Sequence, residues 1–286
     1  MKYCRFERNG QARYGMVESV AGRDTVTQML LAAPEDFPRG DGTQDLTVHE
    51  IPMQRIEPLL LDEIKLLPPV RPSKIVCVGR NYLAHVRELN HEVPTVPLIF
   101  LKPPSSLIGH GDVIRRPRIS QRVDFEGDLA LVVGKRCRHL QHGQVVWPYI
   151  LGWTIVNDVT ARDLQEPEKQ WTRAKGFDTF CPVGPVVVAR DEVDPWTGVG
   201  VETRVNGIVK QSGNTEDFLF SVEDIFVWIT QAMTLEPGDL IATGTPEGVG
   251  PLLAGDVVEV SVSGIGTLRN RVEEEVIPEY EDKSKR

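Results

Sequence analysis

The sequence predicts a mixed fold of the α+β class in which strands dominate. Two observations support this class: short apolar or alternating segments recur along the chain, and only one long stretch has clear helical periodicity. A doubly wound fold would instead alternate strands regularly with helices. With 286 residues, the chain has the length of two domains or of one large domain.

The first part of the chain predicts a small, separate, β-rich unit that ends near residue 65. A proline-rich connector follows over residues 66–72, and its prolines are expected to exclude regular structure. Residues 74–79 are typical of a buried strand and open the main domain. We therefore predict an N-terminal domain over residues 1–66 and a catalytic domain over residues 72–278.

The later elements are also marked by their residue patterns. Residues 221–235 predict a helix, because Ser221 can cap its start, Asp224 stands in the capping-box position, and an apolar stripe follows. Residues 240–242 and 258–262 predict short strands, the second half-buried because valines alternate with polar residues. The charged tail beyond residue 278 is expected to fray.

Composition excludes several classes of partner. Acidic residues number 41 against 32 basic ones, and the formal net charge of −9 argues against nucleic acid and against anionic membranes. The N-terminus has no apolar signal-peptide core, and no stretch approaches the roughly 18 apolar residues of a membrane span. The expectation is a soluble cytoplasmic protein with reduced, buried thiols at its four scattered cysteines, Cys4, Cys77, Cys137 and Cys181.

Three carboxylates alternate immediately before an apolar run at residues 129–133. In a strand, Asp124, Glu126 and Asp128 share one face, where like charges repel and burial is costly. A bound cation removes both problems, and oxygen ligands suit Mg²⁺, Mn²⁺ or Ca²⁺ better than zinc. The alternative is an exposed edge strand that charge protects from pairing.

Asp158 supplies a possible third ligand. It follows an apolar strand over residues 150–156, and by itself it is more typical of an Asx turn or a helix N-cap. Together with Glu126 and Asp128 it would complete a site of three carboxylates, with room left for a chelating substrate.

Two further segments carry candidate chemistry. His85 and Glu88 stand at i and i+3, so a helix would place them on one face as a base and its orienting carboxylate; an ordinary surface turn is the alternative. Lys175 lies in a mostly apolar segment, where it either meets an anion or extends to solvent. The glycine-rich residues 243–250 lack the P-loop signature and form either a ligand-contacting or a plain structural loop.

Taken together, the motifs identify a resemblance to the fumarylacetoacetate hydrolase family over about residues 70–275. The chain is most similar to the bacterial branch of acylpyruvases and 2-hydroxyhepta-2,4-diene-1,7-dioate isomerases. The segments that carry the resemblance are residues 78–82, 100–103, 124–129, 157–163, 175–179, 205–207, 213–215 and 243–246.

The resemblance implies a β-roll or sandwich as the catalytic domain, a small β-rich N-terminal domain and a homodimer. It also implies Mg²⁺ or Mn²⁺ held by Glu126, Asp128 and Asp158. One position departs from the family pattern, since the family usually has Glu where this chain has Asp128, one methylene shorter.

The resemblance also assigns roles to other residues. His85 and Glu88 are similar to a catalytic dyad on a lid, and residues 85–94 are expected to lie away from the site until substrate binds. Lys175 matches the active-site lysine. The predicted substrate-binding residues are Arg80, Tyr82, Arg162, Gln165 and Thr245.

The function expected first is metal-dependent hydrolysis of a C–C bond in an acylpyruvate or a related 1,3-dicarbonyl 2-oxo acid, with His85 activating water. The alternative is an isomerase, tautomerase or decarboxylase that acts through an enolate on a small 2-oxo dicarboxylic acid resembling oxaloacetate or hydroxymuconate. A third possibility, of a different class, is a non-catalytic β-rich scaffold with a structural metal.

Overall fold

The computed structural model describes residues 1–36 and 51–276, and strands dominate this part of the chain. Its twenty strands are β1 (Lys2–Arg8), β2 (Gln11–Val20), β3 (Arg23–Leu30), β4 (Met53–Leu60), β5 (Leu66–Leu67), β6 (Ile75–Gly79), β7 (Leu98–Lys102), β8 (Leu107–Ile108), β9 (Val113–Arg116), β10 (Val123–Phe125), β11 (Gly127–Val133), β12 (Ile150–Asn157), β13 (Thr160–Ala161), β14 (Cys181–Ala189), β15 (Gly200–Val205), β16 (Ile208–Asn214), β17 (Leu240–Ala242), β18 (Gly250–Pro251), β19 (Val257–Val262) and β20 (Gly266–Glu274). The α-helices there are α1 (Leu83–Glu88), α2 (Arg162–Glu168), α3 (Trp171–Lys175) and α4 (Val222–Ala232). The predicted β-dominated α+β class is confirmed, and the predicted frayed tail lies outside the described residues.

The strands form three sheets. The large sheet has the order β4-β3-β2-β1-β14-β12-β11-β17-β6-β7, with β5 beside β1 and β8 beside β14. A five-stranded sheet has the order β16-β15-β19-β20-β9, and a three-stranded sheet has the order β13-β10-β18. The sequence-adjacent strands β10 and β11 therefore belong to different sheets, and the residue between them lies where the two sheets meet.

The N-terminal strands are continuous with the main sheet. Strand β1 pairs with β2 on one side and with β14 on the other, where Tyr3 lies opposite Val187. The connector is more regular than expected, because Leu66 and Leu67 form β5 against β1 before the prolines begin. The division into domains at residues 1–66 and 72–278 stays a prediction.

The core covers both faces of the large sheet. Along β11, Leu129 and Leu131 belong to the hydrophobic cluster that also contains residues of α4 and the five-stranded sheet, whereas Ala130 and Val132 belong to a cluster on the opposite face. In a strand that is buried on both faces, successive residues are apolar, which explains why residues 129–133 form an uninterrupted apolar run. The central strands beside the carboxylates therefore form a rigid support.

Local sequence signals located several elements correctly. Helix α4 begins after Ser221 with a full capping box to Asp224, although it ends at Ala232 rather than at residue 235. Strand β17 covers the predicted residues, and the predicted strand at 258–262 is β19. All four cysteines are buried and free, as predicted. No helix in the described ranges is long and apolar enough to span a bilayer.

Candidate active site

The segment that carries the three alternating carboxylates is buried and broken in two. Strand β10 ends before Glu126 and β11 begins after it, because the backbone N–H of Glu126 donates to the side-chain Oδ1 of Asn157 (3.0 Å) and not to a backbone carbonyl group. Asp124, Glu126 and Asp128 are only 0%, 6% and 2% exposed. The exposed-edge alternative is wrong, and so is the expectation of one continuous strand.

Two buried lysines offset the charge of the carboxylates. Lys175 Nζ donates to Glu126 Oε2 and to Asp158 Oδ2, both at 2.7 Å. Lys102 Nζ donates to Asp158 Oδ1 at 2.6 Å. We call these four residues the charge cluster. Lys175 therefore meets an anion rather than extending to solvent, and Asp158 is an ion-pair partner rather than a helix cap.

The charges of the cluster shift one another's pKa values. Burial acts to raise the pKa of Glu126, but attraction to Lys175 and Arg162 outweighs it and lowers that pKa. Burial acts to lower the pKa of Lys175, but the carboxylates of Asp158 and Glu126 outweigh it and raise that pKa. Glu126 and Lys175 are therefore both ionised at neutral pH.

Asp128 differs from the cluster because half of its carboxylate has no partner. Its Oδ2 accepts a hydrogen bond from Gly244 N at 2.9 Å. Its Oδ1 is buried and has no hydrogen-bond partner among the residues that the structure describes. Burial first, and then the negative charges of Asp158 and Glu126, raise the pKa of Asp128 well above its usual range.

These carboxylates fit the divalent cation that the resemblance implies. A cation would satisfy the free oxygen of Asp128 and relieve the repulsion that raises the pKa of this residue. Within residues 1–36 and 51–276, no three His, Cys, Asp or Glu side chains stand as a preformed metal site, and Lys175 bridges two of the expected ligands. Glu126, Asp128 and Asp158 stay the predicted ligands.

Close packing fixes the backbone between the two carboxylates. A Cβ atom on Gly127 would lie 2.3 Å from Thr203 Oγ1, so only glycine fits there. Gln211 Oε1 accepts a hydrogen bond from Gly127 N (3.0 Å), and its Nε2 donates to Thr245 Oγ1 (2.8 Å). Thr245 in turn donates to Gly127 O at 2.9 Å. Thr245 lies in the predicted glycine-rich loop over residues 243–250, so this loop holds the backbone of Gly127 in place.

Helix α1 carries the predicted base and its partner. His85 Nδ1 lies 3.3 Å from Glu88 Oε2, and Gly248 N donates to Glu88 Oε1 at 3.0 Å. His85 is only 5% exposed, which excludes an ordinary surface turn. Burial lowers the pKa of His85, although Glu126 and Glu88 act to raise it, so the imidazole is neutral at pH 7 and can accept a proton.

A narrow cavity, the inner chamber, brings together most of the predicted residues. Its volume is about 30 Å³, and its walls include Arg80, His85, Glu126, Arg162, Gln165, Lys175 and Thr245. The structure therefore places His85 at the chamber, where we expected it to lie away from the site. Closure of residues 85–94 over a substrate stays a prediction.

Three of the predicted substrate-binding residues differ in their position relative to the inner chamber. Arg162 donates to Asp124 Oδ2 at 2.9 Å and to Gln165 Oε1 at 2.6 Å, so both side chains at the chamber wall are already oriented. Tyr82 is 1% exposed, packs edge-on against Phe218 and is not a wall of the chamber. Its role in substrate binding stays a prediction.

Sequence reasoning missed three buried residues that hold the site: Lys102, Asn157 and Gln211. A signal existed for Lys102, because it stands at the end of the apolar segment over residues 98–101. Gln211 gave no signal, since it lies on β16, a strand with several exposed residues. Its contact with Gly127 joins residues that are 84 positions apart.

A buried cluster of acids and lysines with strongly shifted pKa values, beside a neutral histidine, is typical of an enzyme active site. Residues 74–273 match the family described as fumarylacetoacetate (FAA) hydrolase C-terminal. The chain therefore belongs to the fumarylacetoacetate hydrolase family, which confirms the resemblance.

The chain is also similar to other proteins over most of its length. The chain is 51% identical to an uncharacterized protein of Methanocaldococcus jannaschii over 231 residues, 81% of this chain and 93% of the relative. It is 41% identical over 224 residues to the oxaloacetate tautomerase YisK of Bacillus subtilis, 74% of each chain.

Solved structures support the fold over nearly the whole chain. A 5-carboxymethyl-2-hydroxymuconate delta-isomerase from Mycobacterium smegmatis superposes with a TM-score of 0.83 at 37% identity, covering 96% of this chain and 100% of the other. A 2-hydroxyhepta-2,4-diene-1,7-dioate isomerase from Mycobacterium marinum has a TM-score of 0.81 at 39% identity, covering 97% and 100%.

Proposed function

We propose that this protein is an isomerase or tautomerase that interconverts keto and enol forms of a small 2-oxo dicarboxylic acid. The observation that carries the proposal is the position of Lys175, whose buried ammonium group lies at the inner chamber beside the neutral imidazole of His85. One group can stabilise an enolate oxygen, and the other can move a proton to or from the adjacent carbon.

Each residue has a defined task in this reaction. Lys175 is charged and preorganised, so it stabilises negative charge that develops on the substrate oxygen. His85, oriented by Glu88, exchanges the proton. Glu126, Asp128 and Asp158 would hold a divalent cation, Mg²⁺ or Mn²⁺, which when bound supplies a Lewis acid that acidifies the carbon next to the carbonyl group.

The relatives support this reaction better than the hydrolysis that we expected first from the sequence. One relative is an oxaloacetate tautomerase, and two structural neighbours are isomerases whose named substrates carry three and two carboxylates. These reactions need proton transfer and enolate stabilisation but no attacking water. The residues of the inner chamber provide for both requirements.

Hydrolysis of an acylpyruvate is the second candidate, and the contact between His85 and Glu88 favours it. A carboxylate-oriented histidine is suited to deprotonate a water molecule that attacks the distal carbonyl carbon. Hydrolysis depends on this base more strongly than enolisation does. His85 serves both reactions, so His85→Ala should lower both activities but should lower hydrolysis more.

The test compares three activities in wild type and His85→Ala with Mg²⁺ or Mn²⁺ present: enol-to-keto conversion of oxaloacetate, formation of pyruvate from oxaloacetate, and cleavage of acetylpyruvate. We expect tautomerisation to be the fastest wild-type activity. For any hydrolysis that wild type shows, His85→Ala should cost roughly 10²–10⁴-fold, the usual contribution of a general base. Wild-type cleavage of acetylpyruvate that outpaces tautomerisation would overturn the proposal in favour of hydrolysis.

Excess chelator is the matched control for metal dependence in each assay. Full tautomerase activity in chelator, with no metal found by elemental analysis, would contradict the proposal that the three carboxylates hold a catalytic cation. The homodimer that the resemblance implies also belongs to this proposal, and sedimentation equilibrium tests it directly.

A further inference from the structure

A second cavity, the outer cleft, adjoins the inner chamber and is far larger, with a volume of about 590 Å³. The two cavities have five walls in common: Arg80, His91, Phe100, Gln165 and Trp171. The inner chamber is about 30 Å³, so the part of a substrate beyond its reacting head must extend into the outer cleft.

Arg80 is held at the junction of the two cavities by an unusual backbone. Its φ is 59°, in the left-handed region that non-glycine residues rarely occupy. Its guanidinium carbon lies 5.8 Å from the centre of the Trp171 ring. The residue before it must be glycine, because a Cβ atom on Gly79 would lie 2.6 Å from that ring. Strained backbone positions cluster at active sites and ligand sites, and Arg80 is the one non-glycine residue with positive φ in the described ranges that lines both cavities.

The side chain of Arg80 has an unused donor in this position. Its Nε is buried and has no hydrogen-bond partner anywhere in residues 1–36 and 51–276. A buried donor on a permanently charged group is costly unless a ligand supplies the acceptor. The planar guanidinium matches a carboxylate in shape and charge.

The charge of the outer cleft also favours an anion. Besides Arg80, its titratable walls are Lys169, Glu166 and His91. Burial and the neighbouring Arg80 lower the pKa of His91, which is therefore neutral at pH 7. Two cations thus face one carboxylate among the walls of the cleft, which Phe100 and other apolar side chains also line, and Glu92 acts on Arg80 from outside these walls.

We propose that Arg80 binds the distal carboxylate of a dicarboxylic 2-oxo acid, whose reacting head occupies the inner chamber and whose chain lies in the outer cleft. Arg80 then determines specificity for dicarboxylic over monocarboxylic substrates. The assignment rests on the proposed function, because that function places the 2-oxo acid head beside Lys175.

The test uses two ligands of equal length that differ only in the terminal group, 2-oxoadipate and 2-oxohexanoate. Calorimetry with Mg²⁺ present measures the dissociation constants of both for wild type, Arg80→Leu and Arg80→Lys. Wild type should bind 2-oxoadipate roughly 10- to 100-fold more tightly, the contribution of one charge-assisted hydrogen bond. Arg80→Leu should abolish the difference, and Arg80→Lys should retain part of it.

Arg87→Leu is the matched control, because Arg87 is an exposed cation on the nearby helix α1 and is not a wall of either cavity. It should leave both dissociation constants unchanged. Equal weakening of the two ligands by Arg80→Leu, or no preference in wild type, would overturn the assignment. If Arg80→Leu fails to fold, complete retention of the preference by Arg80→Lys overturns it, since lysine lacks the Nε donor.

The enol-to-keto rate of wild type, measured separately, distinguishes failure of the proposed function from failure of the carboxylate subsite at Arg80. A preference for 2-oxoadipate without tautomerase activity contradicts the proposed function and keeps the carboxylate subsite. Tautomerase activity without the preference contradicts the subsite alone.

Discussion

Two fully buried aspartates in this protein have opposite surroundings. Asp239, before β17, accepts hydrogen bonds from Ser73 N (3.0 Å), Ser73 Oγ (2.7 Å), Lys74 N (3.1 Å) and Glu236 N (2.8 Å), and forms an ion pair with Lys74. Asp128, on β11, accepts one hydrogen bond with Oδ2 and none with Oδ1 among the described residues.

The difference distinguishes a structural carboxylate from one kept for function. Both carboxylate oxygens of Asp239 accept hydrogen bonds, and these bonds join the loop before β6 to the turn before β17. The carboxylate therefore stabilises the fold. Burial removes the carboxylate of Asp128 from water without giving both of its oxygens a partner, and its pKa is raised as a result. Such a group persists where a ligand completes its coordination.

The largest effect that we predict on stability is at the structural site. Asp239→Ala leaves Lys74 and three backbone N–H groups without their acceptor, so the free energy of unfolding should fall by about 3–5 kcal/mol. Chemical denaturation measures this, with exposed Asp217→Ala as the control. The folded fraction should keep its kcat; a stable variant with lost activity would contradict the comparison.

The largest effect on catalysis is predicted for Lys175. Lys175→Met should lower kcat by about 10²–10³-fold, the range for losing one preorganised donor. From the sequence we expect the fold to survive, but the structure adds a cost, because Glu126 and Asp158 lose a buried cation. Steady-state kinetics beside thermal unfolding separates the two effects. A folded Lys175→Met enzyme with normal kcat would exclude Lys175 from the reaction.

A smaller effect on stability with the opposite sign is predicted for Asp128. Its pKa in the folded protein lies above the unfolded value of about 3.9, so the folded state binds more protons and ionised Asp128 reduces stability as pH rises above about 4. Metal-free Asp128→Asn should therefore be more stable than wild type at pH 7. Unfolding curves at pH 4 and pH 7 test this, and lower stability of the variant at pH 7 would contradict it.

The smallest effect is predicted for Asp128→Glu, which restores the residue usual in the family. The longer side chain extends the unpartnered carboxylate oxygen, so the affinity for Mg²⁺ should be kept or increased. Calorimetric titration with Mg²⁺ measures it, and Asp128→Asn is the matched control with weakened binding. A loss of Mg²⁺ affinity in Asp128→Glu as large as that in Asp128→Asn would argue against Asp128 as a ligand.

The sequence by itself determined the features that depend on neighbours along the chain. The β-dominated class, helix α4 with its capping box, and strands β17 and β19 follow from periodicity and capping, which act over a few residues. The motifs that identified the family are also local. These motifs include His85, Glu126, Asp158 and Lys175, but they do not show the contacts between them.

Only the tertiary structure decided which groups satisfy one another. In the sequence, Asp128 and Asp239 are both acids beside apolar segments. No local pattern shows that donors from residues 73 and 74 bind Asp239. The role of Gln211 and the break in the strand at Glu126 depend on partners 84 and 31 positions away. Burial and hydrogen bonding across such distances are set by the packing of the sheets, which no local window of the sequence contains.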